Sequence, residues 1–229
     1  MNTTLLSLET STDVCSLALH QDGRLVADFS LHIQQAHSRS LAALVDLAFD
    51  HAKVDKRNLD AVAVSKGPGS YTGLRIGTSL AKGLCFALDI PLIAVNTLES
   101  MAFTVNCFNH HNAILCPMID ARRMEVYCLL ANSNLEIIED THAKIIDNDS
   151  LSSVLKREKV WFFGSGTEKC ETLLGHQNNA VFIRDFHITA QSIGMIAFKK
   201  FENKDFEDLA YFEPFYLKDF IAGKPKSLL

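Results

Sequence analysis

The chain is poor in several residue types and motifs, and each shortage excludes something. Its 229 residues include one tryptophan, five prolines and six cysteines. Cys15, Cys85, Cys107, Cys116, Cys128 and Cys170 form no Cys-x-x-Cys pair and have no metal-ligand spacing. Several sit inside apolar patterns, where cysteine acts as a small hydrophobe. A zinc ribbon and a disulfide framework are therefore excluded, and a reduced compartment is expected. No flanking sequence suggests an activated thiol. No apolar run approaches the ~18 residues of a membrane span. The start, Met1-Asn2-Thr3-Thr4, lacks the basic residues and apolar core of a signal peptide, so a cytoplasmic protein without membrane contact is expected. An excess of positive charge is missing too. Lys and Arg number 22 against 27 Asp and Glu, for a net charge of −5, which does not favour unaided nucleic-acid binding.

What is present is an apolar chain (48% hydrophobic), long enough for one large domain or two small ones. Its most informative stretch is Lys66-Gly67-Pro68-Gly69-Ser70-Tyr71-Thr72-Gly73-Leu74-Arg75-Ile76-Gly77. It lies between a strand-like run, Leu59–Ser65, and a helix-like run, Ser70–Leu88. A strand–glycine loop–helix unit presents backbone N–H groups to an anion at a helix N-terminus. The Gly-Lys-Ser/Thr ending of a Walker A loop is absent, and the glycine spacing does not match a dinucleotide fingerprint.

Alternation and turn signals predict strands over Leu5–Glu9, Val14–His20 and Leu25–His32. A helix follows over Ser38–Lys53, with Leu41, Leu44, Val45, Ala48 and Ala52 on one face. Pro91–Val95 reads as a short buried strand, and Thr97 as the cap of a helix through Phe103 with Ser100 on its polar side. The pattern then repeats in part: strands Ala113–Asp120, Glu125–Ala131, Glu136–Lys144 and Val160–Phe163, a Gly164-Ser165-Gly166 loop, helix Thr167–Leu174, strand Val181–Ile183 and helix Ala190–Phe201. In each half an apolar strand ends in an acid, Glu9 or Asp120. This predicts two similar α/β halves, 1–105 and 106–229, divided at the polar segment Asn106–Asn112. The tail from Glu213, with Pro214 and Pro225, is expected to fray at its end.

Five blocks occur in order: Glu9-Thr10-Ser11-Thr12, Ala36-His37-Ser38, the Lys66–Gly77 loop, Ala81-Lys82-Gly83-Leu84, and Asp120-Ala121-Arg122-Arg123-x-Glu125-Val126-Tyr127. Together they closely resemble the bacterial TsaB (YeaZ) family, most densely over residues 5–127. The resemblance implies the actin-like, sugar-kinase-like ATPase fold: two α/β lobes of similar topology, with mixed sheets flanked by helices. It implies a non-catalytic scaffold in making threonylcarbamoyl-adenosine, the nucleoside next to the anticodon in tRNAs that read A-starting codons. The implied partners are TsaD, the related catalytic subunit, and TsaE, a small P-loop ATPase, with a homodimer through the N-terminal helices in their absence. Contact with tRNA is then indirect. No cofactor is tightly bound, and ATP or ADP at the complex interface is a candidate.

The residues leave their own alternatives open. In TsaD the strand matching Pro91–Asn96 runs into a metal-binding His-x-x-x-His pair; here the positions hold Thr97 and Met101, so no metal is expected. Glu9, Thr10 and Ser11 either face phosphate or close a tight turn. Gly67, Gly69 and Gly73 either cradle a phosphate or allow close packing. Gly164-Ser165-Gly166 lies where this fold class meets a base and ribose, but also suits a plain turn. Asp120 either contacts phosphate or pairs with Arg122 and Arg123. His37 reads as a cap or surface residue, and His110 and His111 cannot share a helical face. No catalytic triad can be assembled, and Ser70 is not on a nucleophile elbow. The alternative functions are an independent actin-like ATPase or kinase and, with no supporting constellation, a peptidase.

Ser38–Lys53 and Ser70–Leu88 are both too apolar for helices covered on one side only. Leu41, Leu44, Val45, Leu74, Ile76, Leu80 and Leu84 are therefore candidate partner-interface residues. On this reading Leu74→Glu or Leu84→Glu breaks association and spares the fold.

Overall fold

The computed structural model describes residues 2–33 and 37–218, with side chains of 37 and 38 left aside. Ala36 of the second block, the side chain of His37 and the tail beyond Lys218 fall outside that description. The chain runs β1 (Thr4–Glu9), β2 (Cys15–Gln21), β3 (Arg24–Leu31), α1 (His37–Ala52), β4 (Ala61–Gly67), α2 (Tyr71–Leu88), β5 (Leu92–Asn96) and α3 (Thr97–Asn106). It continues with β6 (Ile114–Asp120), β7 (Glu125–Ala131), β8 (Ile137–Ile145), α4 (Ser152–Leu155), β9 (Val160–Phe163), α5 (Thr167–Leu174), β10 (Ala180–Ile183) and α6 (Ala190–Glu202).

The duplication is present in the topology. One sheet has the order β3-β2-β1-β4-β5 and the other β10-β9-β6-β7-β8, the same order when β1 is matched to β6. In each, the first three strands are antiparallel and the rest parallel. β1 is buried along its whole length because it lies mid-sheet with helices on both sides, which is why its sequence shows no alternation.

Three apolar cores stack through the molecule. Leu6, Leu8, Val62 and Val64 face α1 and α2 through Leu41, Val45, Phe49 and Ala81. Cys116, Met118, Val126 and Phe162 face Cys170 and Leu174 of α5. Between the sheets, Leu5, Ala63 and Ile93 meet Leu98 and Met101 of α3, Ile193 and Ala197 of α6, and Leu115 and Phe163 of the second sheet. α6, although late in the chain, packs on β1, β2, β4 and β5, while α3 packs on β6 and β7. The halves thus exchange their last helices.

Two local expectations change. The cap of α3 is Asn96, whose Oδ1 accepts the N–H groups of Leu98 at 2.8 Å and Glu99 at 3.3 Å; Thr97 is the first helical residue. Ser100 is not on a polar side but buried, its hydroxyl 2.7 Å from that of Ser192 on α6. The short helix α4 and a 3₁₀ turn at Lys56–Asn58 carry too little periodicity to be seen in the sequence.

Candidate functional site

The turn after β1 and the glycine loop after β4 meet at the carboxyl ends of adjacent parallel strands. They meet without a gap. A Cβ on Gly69 falls 2.3 Å from the Ser11 carbonyl oxygen, one on Gly73 2.0 Å from that of Thr10, and one on Gly77 2.3 Å from Thr10 Oγ1. Ser70 N–H donates to the Ser11 carbonyl at 2.7 Å, and Thr10 Oγ1 donates to the Gly73 carbonyl at 2.8 Å. Ser70 also caps α2, its Oγ accepting Gly73 N–H at 3.2 Å. Gly67, at φ +109°, lies under the Phe215 carbonyl, which a Cβ would approach to 2.8 Å. These glycines let backbone touch backbone, and the space a phosphate needs is filled by Thr10, Ser11 and Phe215. The loop therefore does not fit a phosphate in this conformation.

Glu9, Thr10 and Ser11 are brought together with the loop, all fully buried. Glu9 Oε1 accepts Ser11 N–H at 2.6 Å and Ser11 Oγ–H at 2.5 Å, while Oε2 has no hydrogen-bond partner. Burial pushes its carboxyl up to about 6, against the opposing pull of the Ser11 bonds and the nearby Ser65 hydroxyl. Thr97 and Met101 are buried as well, and the Thr97 hydroxyl is unpartnered. Met101 Cε sits 2.4 Å from where Gly164 would carry a Cβ, so the thioether packs against the Gly164-Ser165-Gly166 turn.

An open cleft of about 770 Å³ runs between the two sheets. Thr12 and Asp13 line it from the first half; Ser165, Glu168, Glu171, Arg184 and His187 do so from the second. Neither Asp13 nor Arg184 stands out in the sequence, since both sit in irregular segments. Arg184 is neutralised by Glu171, Nη2 to Oε1 at 2.7 Å. Asp120 pairs with neither Arg122 nor Arg123: its Oδ1 takes Lys169 Nζ at 2.5 Å and the Arg122 backbone N–H at 2.7 Å. Lys169 also donates to the carbonyls of Arg123 and Glu125, so the group knits β6 and β7 to α5. Cys15, Cys85 and Cys170 are buried and their thiols pushed up to about 11, far from an activated nucleophile.

The helix faces also resolve. Leu41, Val45 and Leu74 belong to the core, Leu74 being only 1% exposed, and they cannot meet a partner in the folded chain. Leu44, Ile76, Leu80 and Leu84 are partly exposed at the edge of that core. The outward stripe of α2 is Thr72, Ile76, Ser79, Leu80, Gly83 and Ala87, with no charge on it. Arg75 and Lys82 are turned aside onto the segment that follows α6. Arg75 lies 4.4 Å over the Tyr71 ring and donates to Tyr216 Oη at 3.3 Å. Lys82 Nζ donates to the carbonyls of Ala210 at 3.4 Å and Phe212 at 3.1 Å.

Comparison with known proteins fits this architecture. Residues 31–224 match the model of the family described as TsaD, tRNA N6-adenosine threonylcarbamoyltransferase. The Bacillus subtilis tRNA threonylcarbamoyladenosine biosynthesis protein TsaB is 34% identical over 148 residues, 63% of each chain. The first three curated relatives are matched over between half and two thirds of their own length. A Pseudomonas aeruginosa protein described as similar to the peptidase YeaZ superposes with a TM-score of 0.83 at 26% identity, over 94% of this chain and all of that one. The activator of 2-hydroxyisocaproyl-CoA dehydratase from Clostridium difficile, with bound ADPNP, superposes at 0.52 with 10% identity, over 91% and 99%, a likeness of fold. Two mixed sheets in the same strand order, a glycine loop sealed on the first turn and these matches agree: the chain belongs to the TsaD-type threonylcarbamoyl-adenosine family, on its TsaB (YeaZ) side.

Proposed function

We propose that the chain is a non-catalytic scaffold for threonylcarbamoyl transfer to the adenosine next to the anticodon, in tRNAs that read A-starting codons. It acts by binding a TsaD catalytic subunit and, with it, TsaE, in the cytoplasm; alone it pairs with a second copy. The observation that carries this reading is the contrast between two surfaces. The glycine loop is filled by Thr10 and Ser11, whereas α2 turns an uncharged stripe outward. A helix that buries one face and leaves the other without charge is built for a second contact. Contact with tRNA is indirect, and any ATP or ADP belongs to the assembled interface.

The test is tRNA threonylcarbamoylation in a mixture of TsaD, TsaE and the carbamoyl-adenylate-forming enzyme, with and without this chain. Modification is expected to require the chain and to survive Glu9→Ala in variants that remain folded. Modification that proceeds equally without it removes the scaffold reading. One observation favours a second reading, an independent ATPase of the actin-like class: Glu9 ends β1 with one oxygen unpartnered. That reading requires ATP turnover by the isolated chain and its loss in Glu9→Ala.

A further inference from the structure

The two most exposed large apolar side chains among the described residues are Tyr211, at 85%, and Phe86, at 83%. They are far apart in sequence and adjacent in space. Lys82 holds the carbonyls on either side of Tyr211, and Phe86 lies one helical turn beyond Lys82 on α2. Tyr211 is held in place from below. Phe212 is buried in the core under α2, and Asp208 Oδ1 accepts the N–H groups of Ala210 at 2.9 Å and Tyr211 at 3.3 Å. Glu207 N–H donates to the Leu92 carbonyl and Phe215 N–H to that of Lys66, so the segment is fixed at both ends. A Tyr that projects from a backbone ordered before binding loses little entropy when it is covered.

The helices alone offer too little area. α2 has 18 residues and runs ~27 Å, and two helices side by side, ~10 Å wide each, present ~540 Å². A standard interface takes ~800 Å² from each partner. Burying two aromatic side chains, at ~150–250 Å² each, closes that gap.

We propose that the docking surface extends beyond the helices onto the segment 207–216, with Phe86 and Tyr211 as its paired anchors, and that its occupant is a TsaD-type subunit. This rests on the scaffold reading above. The TsaD family model spans α1 and α2 of this chain, so such a subunit carries an equivalent helix pair to lay against the uncharged stripe. Anchors of this kind, aromatic and adjoining a small-residue surface, are where interfaces concentrate their energy.

Binding of the full chain to its cognate TsaD is measured by calorimetry for Phe86→Ala, Tyr211→Ala, the double variant and Gly83→Arg. All are expected to fold, since the two aromatics are exposed and nothing lies within 4 Å of a Cβ on Gly83. Each alanine is expected to weaken binding by roughly tenfold, the pair by less than the product, and Gly83→Arg to abolish it. If Gly83→Arg abolishes binding while the double variant binds within about twofold of the parent, the surface ends at the helices and the proposal fails alone. Binding by Gly83→Arg that equals the parent overturns the docking reading itself. If the double variant loses only self-association, measured by sedimentation, the anchors serve a second copy and the assignment to TsaD is wrong.

Discussion

Glu9 places an ionisable carboxyl where no solvent reaches, and the fold is less stable for it. Its pKa of about 6 lies above the ordinary 4.5, so the folded state binds the proton more tightly than the unfolded chain. Stability from this group is then highest below pH 4.5, falls as pH rises to about 6 and stays level above, a loss of roughly 2 kcal/mol. Glu9→Gln keeps an acceptor for Ser11 and removes the charge. Urea denaturation is expected to show the variant more stable than the parent by up to about 2 kcal/mol at pH 8, with little difference at pH 4.5; an equal difference at both values would mean that Glu9 does not titrate there. Gly73→Ala should act oppositely, since its methyl would lie 2.0 Å from the Thr10 carbonyl oxygen; a loss of about 3 kcal/mol or more is expected in the same assay. The sequence marks both residues as unusual, but not why. A glycine that admits phosphate and one that admits a neighbouring backbone read alike until the neighbour is known, and Thr10 is 63 residues from Gly73.

Helices and strands were legible where periodicity was long. The ten strands and the five longer helices fall within about two residues of their expected limits, because Leu41–Val45–Ala48 or the unbroken apolar run of β4 each match one template. Which outward residues remain exposed was not legible. Leu74 and Leu80 lie on one helix and have the same chemistry, yet the first sits under Gly67 and the second at the rim. Leu74→Glu is therefore expected to abolish cooperative thermal unfolding, not merely association, as circular dichroism would show. Nor could the sequence say that the polar stripe of α2 was taken, since the partners of Arg75 and Lys82 are more than 120 residues away. Caps are local and testable: Asn96→Ala removes two bonds to the first turn of α3 and should cost about 1 kcal/mol, read from the denaturation midpoint.

At the level of the molecule, each half was foreseen as a repeat of the other, and the strand orders agree; the exchange of helices between them was not. Both lobes share the core formed by Leu5, Ile93, Met101, Leu115 and Ile193. Gly194 of α6 rests against the buried ring of His20, where a Cβ would come within 2.2 Å. A fragment ending at residue 105 lacks that helix, and we expect its melting curve to show no cooperative transition, with order restored when residues 106–229 are supplied in trans. The exchange also sets a timetable. β1 emerges from a ribosome first, but the helix that covers its inner face begins at Ala190. At ~5–20 residues per second, that face waits for roughly 10–40 s of synthesis. During that interval Leu5 and Ile93 have no lid, and the nascent chain depends on whatever else in the cell shields apolar surface.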